Sequence, residues 1–282
     1  MLESQQLGVA LAAVLGLAIG SFLNVVIHRL PKMLEREWAD ECAELAGIAS
    51  NQSGQVRLGL MSPRSRCGSC GHQIGWHENV PILSYLFLRG KCSRCGVSIG
   101  IRYPMIELTT AALFAFCAAK WGLTLTAVTW AIFSAALLSL ACIDWDTTFL
   151  PDDITLPLVW GGLIASALQI TEAPLTASLW GAVAGYLSLW SVYWAFKLLT
   201  GKEGMGYGDF KLFAALGAWF GWQALTPIIL MASLIGALVG ICMKFSGGLR
   251  EGGYVPFGPF LAGAGFVSLV FGPQSLLGLV GL

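Results

Sequence analysis

Two aspartates stand beside apolar segments of this 282-residue chain. Asp144 lies in the run 143–152, and Asp209 ends the sequence Gly-Tyr-Gly-Asp at 206–209. An ionised carboxylate near hydrocarbon is costly to keep, so its presence calls for a partner or a function. Two carboxyl groups that share a site cannot both ionise cheaply, and such pairs perform acid–base chemistry. The two aspartates are therefore the first candidates for a functional site.

Each aspartate also has a structural interpretation, as a helix cap or the end of a solvated loop. Asp152 and Asp153 fit that interpretation, because carboxylates at the start of a helix accept from its amides and complement its dipole. Asp146 lies two residues from Asp144 and could replace it in any scheme. Asp209 follows closely spaced glycines, which can form a tight turn or let the backbone approach a substrate. Their spacing matches neither the dinucleotide nor the P-loop pattern of phosphate-binding glycines.

Four cysteines form two C-x-x-C pairs, which suit a tetrahedral zinc site. Disulfides or a redox pair are the alternatives. The segment that bears these cysteines is predicted to be cytoplasmic from its positive charge, and this location argues against persistent disulfides. Because four thiolates leave no open coordination position, we expect the zinc to be structural. The predicted ligands are Cys67, Cys70, Cys92 and Cys95.

The elements that position these residues are apolar helices. Hydrophobic residues make up 56% of the chain and charged residues 11%, and the mean hydropathy is +0.72. The sequence predicts an all-α polytopic membrane protein of about eight transmembrane helices, with a small cytoplasmic zinc-binding loop domain between the first and second. The first span lacks the basic flank of a signal peptide, so we expect it to be retained. The predicted spans are 7–27, 105–119, 123–143, 154–170, 177–196, 210–220, 225–243 and 257–280, of which the sixth is short.

Alternate threading of these spans places all Lys and Arg residues except Lys120 on one side, which is fifteen of the sixteen. Positive charge marks the cytoplasmic side. Both termini are then predicted to be periplasmic, and Asp144 and Asp209 to face the cytoplasmic boundary. The predicted parts are a first transmembrane helix (1–28), a cytoplasmic zinc-binding loop (29–103) and a transmembrane core (104–282).

The motifs in this order resemble the type IV prepilin peptidases, also called prepilin leader peptidase/N-methyltransferases. These are integral membrane aspartic proteases with a Gly-x-Gly-Asp motif. The resemblance extends over nearly the whole chain. It rests on the run 20–31, the two cysteine pairs, Arg102-Tyr103-Pro104 with Glu107, the run 143–152 and the run 204–211.

The resemblance implies an enzyme of the bacterial inner membrane that removes the leader of type IV prepilins and type II secretion pseudopilins after a glycine. By motif position it implies Asp144 and Asp209 as the catalytic pair. It also implies N-methylation of the new N-terminus with S-adenosylmethionine, in which the loop 29–103 would be the methyltransferase part. No residue can be assigned to the methyl donor, and the residues to test are Gly90, Asn24, Glu78 and Glu107.

Two other classes of function remain open at this point. In a transporter, the two aspartates would relay protons or cations and the zinc loop would regulate them. In a noncatalytic scaffold, the zinc loop would recruit partners. The first requires a polar series across the spans, and the second leaves the Gly-Tyr-Gly-Asp context unexplained.

Overall fold

A computed structural model describes residues 2–47, 58–247, 255–273, 275 and 278. The prediction of an all-α membrane protein is confirmed, since the chain is 75% helical and its described part contains no strand. Each of the eight predicted apolar spans overlaps a described helix, although the helices differ from the spans in their bounds. The chain divides into two compact units, Met1–Ala135 and Ala136–Leu282.

The first unit contains a long helix, a small irregular segment and a second apolar helix. Helix α1 continues past the predicted end of the first span to Leu45, because the run after Pro31 is rich in Leu, Glu and Ala, which favour helix. The segment after residue 57 includes a short 3₁₀ helix, Trp76–Asn79. The helices that lie wholly in this unit are α1 (Leu2–Leu45), α2 (Leu83–Phe87) and α3 (Arg102–Trp121).

Helices α1 and α3 approach closely at two glycines, which lie four residues apart on α1. A Cβ built on Gly16 would lie 2.7 Å from the Cα of Ala111, and one built on Gly20 would lie 2.7 Å from the Cα of Glu107. Small residues at this spacing let helix backbones pack together in membranes, where van der Waals contact drives association. The stripe brings α1 against the start of α3, which follows the cysteine-bearing segment.

The second unit is a cluster of helices joined by short connections. Helix α4 (Leu125–Thr147) runs from the first unit into this one. A 3₁₀ turn, Trp222–Ala224, precedes α8. The other helices are α5 (Asp152–Ala167), α6 (Leu175–Thr200), α7 (Tyr207–Phe220), α8 (Leu225–Phe245) and α9 (Gly258–Phe271).

Helix α7 is the centre of the second unit. All its residues from Asp209 to Phe220 except Lys211 are buried, and α5, α6 and α9 all pack against it. Gly181 of α6 and Gly217 of α7 face each other so closely that a Cβ on either would overlap the carbonyl of the other. A helix that is apolar on all sides belongs in an interior. Helix α7 therefore has little surface left for lipid within this unit.

Among the described residues, four helices are long and apolar enough to cross a membrane, namely the one near the N-terminus, α4, α6 and the one that ends at Phe245. Helix α7 has only 14 residues, about 21 Å at 1.5 Å per residue, less than the hydrocarbon thickness of roughly 30 Å. Helix α9 is also a short apolar helix. The predicted eighth span extends to residue 280, and most of its last residues lie outside the described part of the chain.

The contact between α6 and α7 yields a test of the fold. We expect Gly181→Ala to lower the free energy of unfolding by about 1–3 kcal/mol, because the added methyl group overpacks a backbone contact. Gly161→Ala is the matched control, since its Cβ would lie at an ordinary 3.6 Å from Trp219. Unfolding in mixed micelles measures both variants. Equal stability of the two would contradict the close approach.

Candidate functional site

Asp144 and Asp209 lie at the ends of two helices of the second unit. Asp144 is in the last turn of α4 and Asp209 in the first turn of α7. Their exposed fractions are only 5% and 7%. A buried carboxyl group without compensation costs several kcal/mol, so each of these groups requires a polar partner or shares a proton. Asp144 thus differs from Asp146 in its burial, because the side chain of Asp146 is exposed.

Local backbone structure explains why α4 and α7 present these residues. Helix α4 ends because Thr148 has a left-handed backbone (φ 57°), while its N–H still donates to the carbonyl of Asp144 at 2.8 Å. Such a conformation is uncommon for a β-branched residue. Before α7, Gly206 is extended and accepts from the N–H of Asp209 at 3.2 Å. Both aspartates therefore lie within one turn of a helix end.

The two carboxyl groups belong to one electrostatic site, because the charge of Asp144 acts on Asp209. A third element contributes a hydrogen-bond donor: the backbone N–H of Gly258, at the start of α9, donates to Asp144 Oδ2 at 2.9 Å. Two buried carboxyl groups whose charges interact can act as acid and base together. That these two do so stays a prediction, and the N–H of Gly258 is a donor that the sequence did not indicate.

The other acidic residues of the two motifs are exposed. Asp152, at the N-terminus of α5, accepts from Lys211 Nζ through both carboxylate oxygens at 2.7 Å. Lys211 lies two residues after Asp209. The ion pair therefore joins the start of α5 to the first turns of α7. Asp153 is exposed at the same helix start, where a carboxylate complements the helix dipole.

The four cysteines of the first unit meet in space. Their sulfur atoms all lie within 4.8 Å of one another, with Cys67 Sγ 3.8 Å from Cys95 Sγ and Cys70 Sγ 4.0 Å from Cys92 Sγ. No disulfide joins them. Each pair lies in a tight turn, which is closed directly after the second cysteine by a glycine with positive φ, Gly71 or Gly96. Such turns aim two sulfurs at one point, so the cluster can hold a metal ion.

Backbone amides favour the thiolate, which is the metal-binding form, at Cys67 and Cys92. At Cys95 the amide of Val97 also lowers the pKa, but burial and the neighbouring sulfurs outweigh it and raise the pKa to about 11. Hydrogen bonds from the amides of Cys70 and Ser69 lower the pKa of the Cys67 thiol to about 6. The amides of Cys95 and Arg94 likewise lower the pKa of Cys92. The donor set therefore fits a soft or borderline cation such as Zn²⁺.

Glu78 connects the two cysteine pairs. It accepts from Ser93, which lies in the second pair, from the N–H of Gly75 at 2.8 Å and from His72 Nε2 at 3.2 Å. These hydrogen bonds, led by that of Ser93, lower the pKa of Glu78 to about 2. The sequence suggested Glu78 for testing without a role, and its contacts assign it to the scaffold of the cluster.

Asn24, Glu107 and Gly90 also have structural contacts in the first unit. Asn24 Nδ2 donates to the carbonyl of Tyr103 at 3.1 Å, and Glu107 Oε2 accepts from the N–H of Ile82 at 2.8 Å. The first contact joins α1 to the first turn of α3, and the second ties α3 to the segment between the two helices. Gly90 has a left-handed backbone (φ 67°), and a Cβ there would lie 2.9 Å from the hydroxyl of Tyr85.

Sequence reasoning missed Gly258 and the pairing of Lys211. Gly258 is 114 residues from Asp144, and no local pattern connects the two. Lys211 lies two residues after the Gly-Tyr-Gly-Asp motif, and its charge within an apolar run is the signal that could have indicated an acidic partner.

Two family models match the chain in succession. The model described as "Bacterial Peptidase A24 N-terminal domain" matches residues 14–121, which include the cysteine cluster. The model described as "Type IV leader peptidase family" matches residues 131–241, which include both aspartates.

Curated relatives match nearly the whole chain, and each bears the name prepilin leader peptidase/N-methyltransferase. The relative from Pseudomonas aeruginosa is 50% identical over 97% of this chain and 94% of its own length. The one from Stutzerimonas stutzeri is 49% identical over 93% and 90%, and one from Burkholderia pseudomallei is 50% identical over 96% and 88%. No solved structure matches the chain.

The ion pair beside Asp209 yields a quantitative test. The side chains of Lys211 and Asp152 are 26% and 54% exposed, so solvent screens their attraction. A double-mutant cycle of Lys211→Gln and Asp152→Asn should give a coupling free energy of about 0.2–1 kcal/mol in unfolding. The matched cycle with Asp153→Asn should give none. Equal coupling in both cycles would contradict the specific pair.

Proposed function

The chain belongs to the type IV leader peptidase family, and from this premise we propose that Asp144 and Asp209 are the catalytic pair of a membrane aspartic peptidase. The substrates in this proposal are type IV prepilins and type II secretion pseudopilins, cleaved after a glycine. The observation that carries the proposal is the burial of two interacting carboxyl groups at helix ends in one unit. A structural salt bridge or helix cap does not require that arrangement.

The proposed hydrolysis uses one ionised and one protonated carboxyl group. The ionised group accepts a proton from water as the water oxygen bonds to the scissile carbonyl carbon, and the protonated group gives its proton to the carbonyl oxygen. The tetrahedral intermediate then breaks its C–N bond. The nitrogen receives the proton taken from water, and a hydroxyl proton of the intermediate returns to the second carboxyl group. One water is consumed, and no covalent enzyme intermediate forms.

The proposed location of the pair is the cytoplasmic face of the bacterial inner membrane, with both chain termini in the periplasm. Its support is the distribution of Lys and Arg, of which only Lys120 falls on the other side of the threaded spans. A prepilin has an apolar helix in the bilayer and a basic leader in the cytoplasm. Carboxyl groups at this boundary would meet the scissile bond without removing the helix from the membrane.

We further propose that Cys67, Cys70, Cys92 and Cys95 hold one structural Zn²⁺. The support is the convergence of their four sulfurs and the hydrogen bonds that favour thiolates. The ion would stabilise a segment with few buried residues of its own. Glu78 would hold the two cysteine turns in register through Ser93 and Gly75.

The second proposed reaction is methylation of the N-terminal amine that cleavage exposes. S-adenosylmethionine would supply the methyl group: the neutral amine nitrogen would bond to the methyl carbon as the carbon–sulfur bond breaks, S-adenosylhomocysteine would leave, and the methylated nitrogen would lose a proton. We propose the segment 29–103 as the methyltransferase part, beside the transmembrane parts 1–28 and 104–282. Asn24, Glu78, Gly90 and Glu107 shape this segment through the contacts described above, so their substitution would affect methylation through its geometry.

Single substitutions test the catalytic pair. Asp144→Asn and Asp209→Asn should each slow leader removal by at least about 10³-fold, because each removes one member of a catalytic unit. Asp146→Asn is the matched control. It alters an exposed carboxylate two residues away and should stay within about threefold of wild type. Mass spectrometry of the processed prepilin in membranes measures all three. Wild-type cleavage by either buried-site variant would overturn the assignment.

Removal of two predicted ligands tests the metal site. The purified wild-type protein should contain about one zinc ion per chain, and Cys67→Ser with Cys70→Ser should remove it. Cys42→Ser changes an exposed cysteine outside the cluster and should leave the zinc in place. Elemental analysis measures the content. Stoichiometric zinc in the double variant would rule out the four-cysteine site.

A further inference from the structure

The N-terminus of α9 reaches the buried carboxyl group of Asp144. Gly258 is the first residue of the helix, and the N–H groups of a first helical turn have no acceptor within the helix. Here the N–H of Gly258 donates to Asp144 Oδ2 at 2.9 Å in a buried contact. The residue after it, Pro259, has no N–H to offer. One helix-start amide is thus directed at one member of the proposed pair.

The missing side chain of Gly258 is as important as its N–H. A Cβ at this position would lie 2.6 Å from Asp144 Oδ2 and 3.1 Å from its Cγ. The backbone of Gly258 is not in the left-handed region, so conformational freedom does not explain the glycine. The close approach of the backbone to the carboxyl group explains the glycine, because no other residue leaves room for Asp144 in its present position.

Leu150 lies between Gly258 and the backbone next to Asp209. A Cβ on Gly258 would lie 3.3 Å from Leu150 Cδ1, and a Cβ on Gly208 would lie 2.6 Å from Leu150 Cβ. The buried Leu150 side chain therefore packs against the backbone next to Asp209 and against the donor of Asp144. Gly208, Gly258 and Leu150 therefore fix the distance between the backbone next to Asp209 and the helix start that contacts Asp144.

These contacts extend the site beyond the region that defines the family. The matched segment of the type IV leader peptidase model ends at residue 241, and Gly258 lies on the next helix. Nothing within the matched segment provides the 2.9 Å contact. The complete site of the second unit therefore requires α9.

We propose that Gly258 is a positioning residue of the catalytic pair, which holds the Asp144 carboxyl group by its N–H and by the absence of a side chain. The inference rests on the proposed peptidase function. Its consequence is kinetic: a displaced carboxyl group slows the chemical step while the substrate helix still binds, because small misplacements of catalytic groups cost about 10²-fold in rate. Loss of the contact should then lower kcat and leave KM nearly unchanged.

Two changes separate the steric and hydrogen-bonding parts of this role. Gly258→Ala keeps the N–H but forces Asp144 to move, and we expect kcat for prepilin to fall by about 10²-fold. Replacement of the Gly258 amide by a backbone ester removes the donor without adding bulk. The ester should lower kcat by at least about tenfold, because hydrogen bonds to charged groups are stronger than neutral ones.

Gly263→Ala is the matched control, since it lies on the same helix and nothing lies within 4 Å of its added Cβ. It should cleave as the wild type does. Each protein is reconstituted in nanodiscs, and KM, kcat, the melting temperature and methylation of a precleaved pilin are measured. Methylation and melting temperature should be unchanged in the ester variant, which a general loss of structure would not allow.

The outcomes distinguish this inference from the function on which it rests. Wild-type kcat in both the ester variant and Gly258→Ala would overturn the role of Gly258 while leaving the catalytic pair intact. A rise in KM alone would also contradict it, because it would indicate substrate binding. Absence of leader removal by the wild-type protein would instead refute the proposed function.

Discussion

The interaction on which the second unit depends is the charge interaction between two buried carboxyl groups inside a cluster of apolar helices. Asp144 and Asp209 are both buried, and each alone would be costly in such surroundings. The structure compensates by ending α4 and beginning α7 beside them, and by directing the N–H of Gly258 at Asp144. The close packing of α7 against its neighbours serves the same end, because Asp209 keeps its position only if the first turn of α7 is fixed.

In the first unit, the segment between α1 and α3 depends on other interactions. This segment buries few side chains, so it requires a cross-link, which the four cysteine sulfurs can provide with a metal ion. Glu78 accepts from the amide of Gly75 within this segment, and Glu107 of α3 accepts from the amide of Ile82. The resulting division is between a proposed peptidase site built from packed helices and a loop held by hydrogen bonds and, as proposed, by a metal ion.

The sequence alone predicted the helices, the four-cysteine cluster and the two prominent aspartates, because each has a local pattern of hydropathy, spacing or neighbouring glycines. It could not decide between Asp144 and Asp146 from the residues, since the two differ in burial, which depends on packing. It placed the end of the first helix too early, because the charged run before Leu45 continues the helix without continuing the apolar span. The contact of Gly258 with Asp144 joins residues 114 positions apart and has no local pattern at all.

We propose that the two aspartates act as one catalytic unit, and the cleavage rate of the double variant measures whether they do. In single-turnover assays with excess enzyme, Asp144→Asn with Asp209→Asn should lose no more activity than the slower single variant, because members of one catalytic unit are not additive. Losses that multiply, with the double variant slower by the product of the two single effects, would mean that the carboxyl groups act independently and would contradict the account.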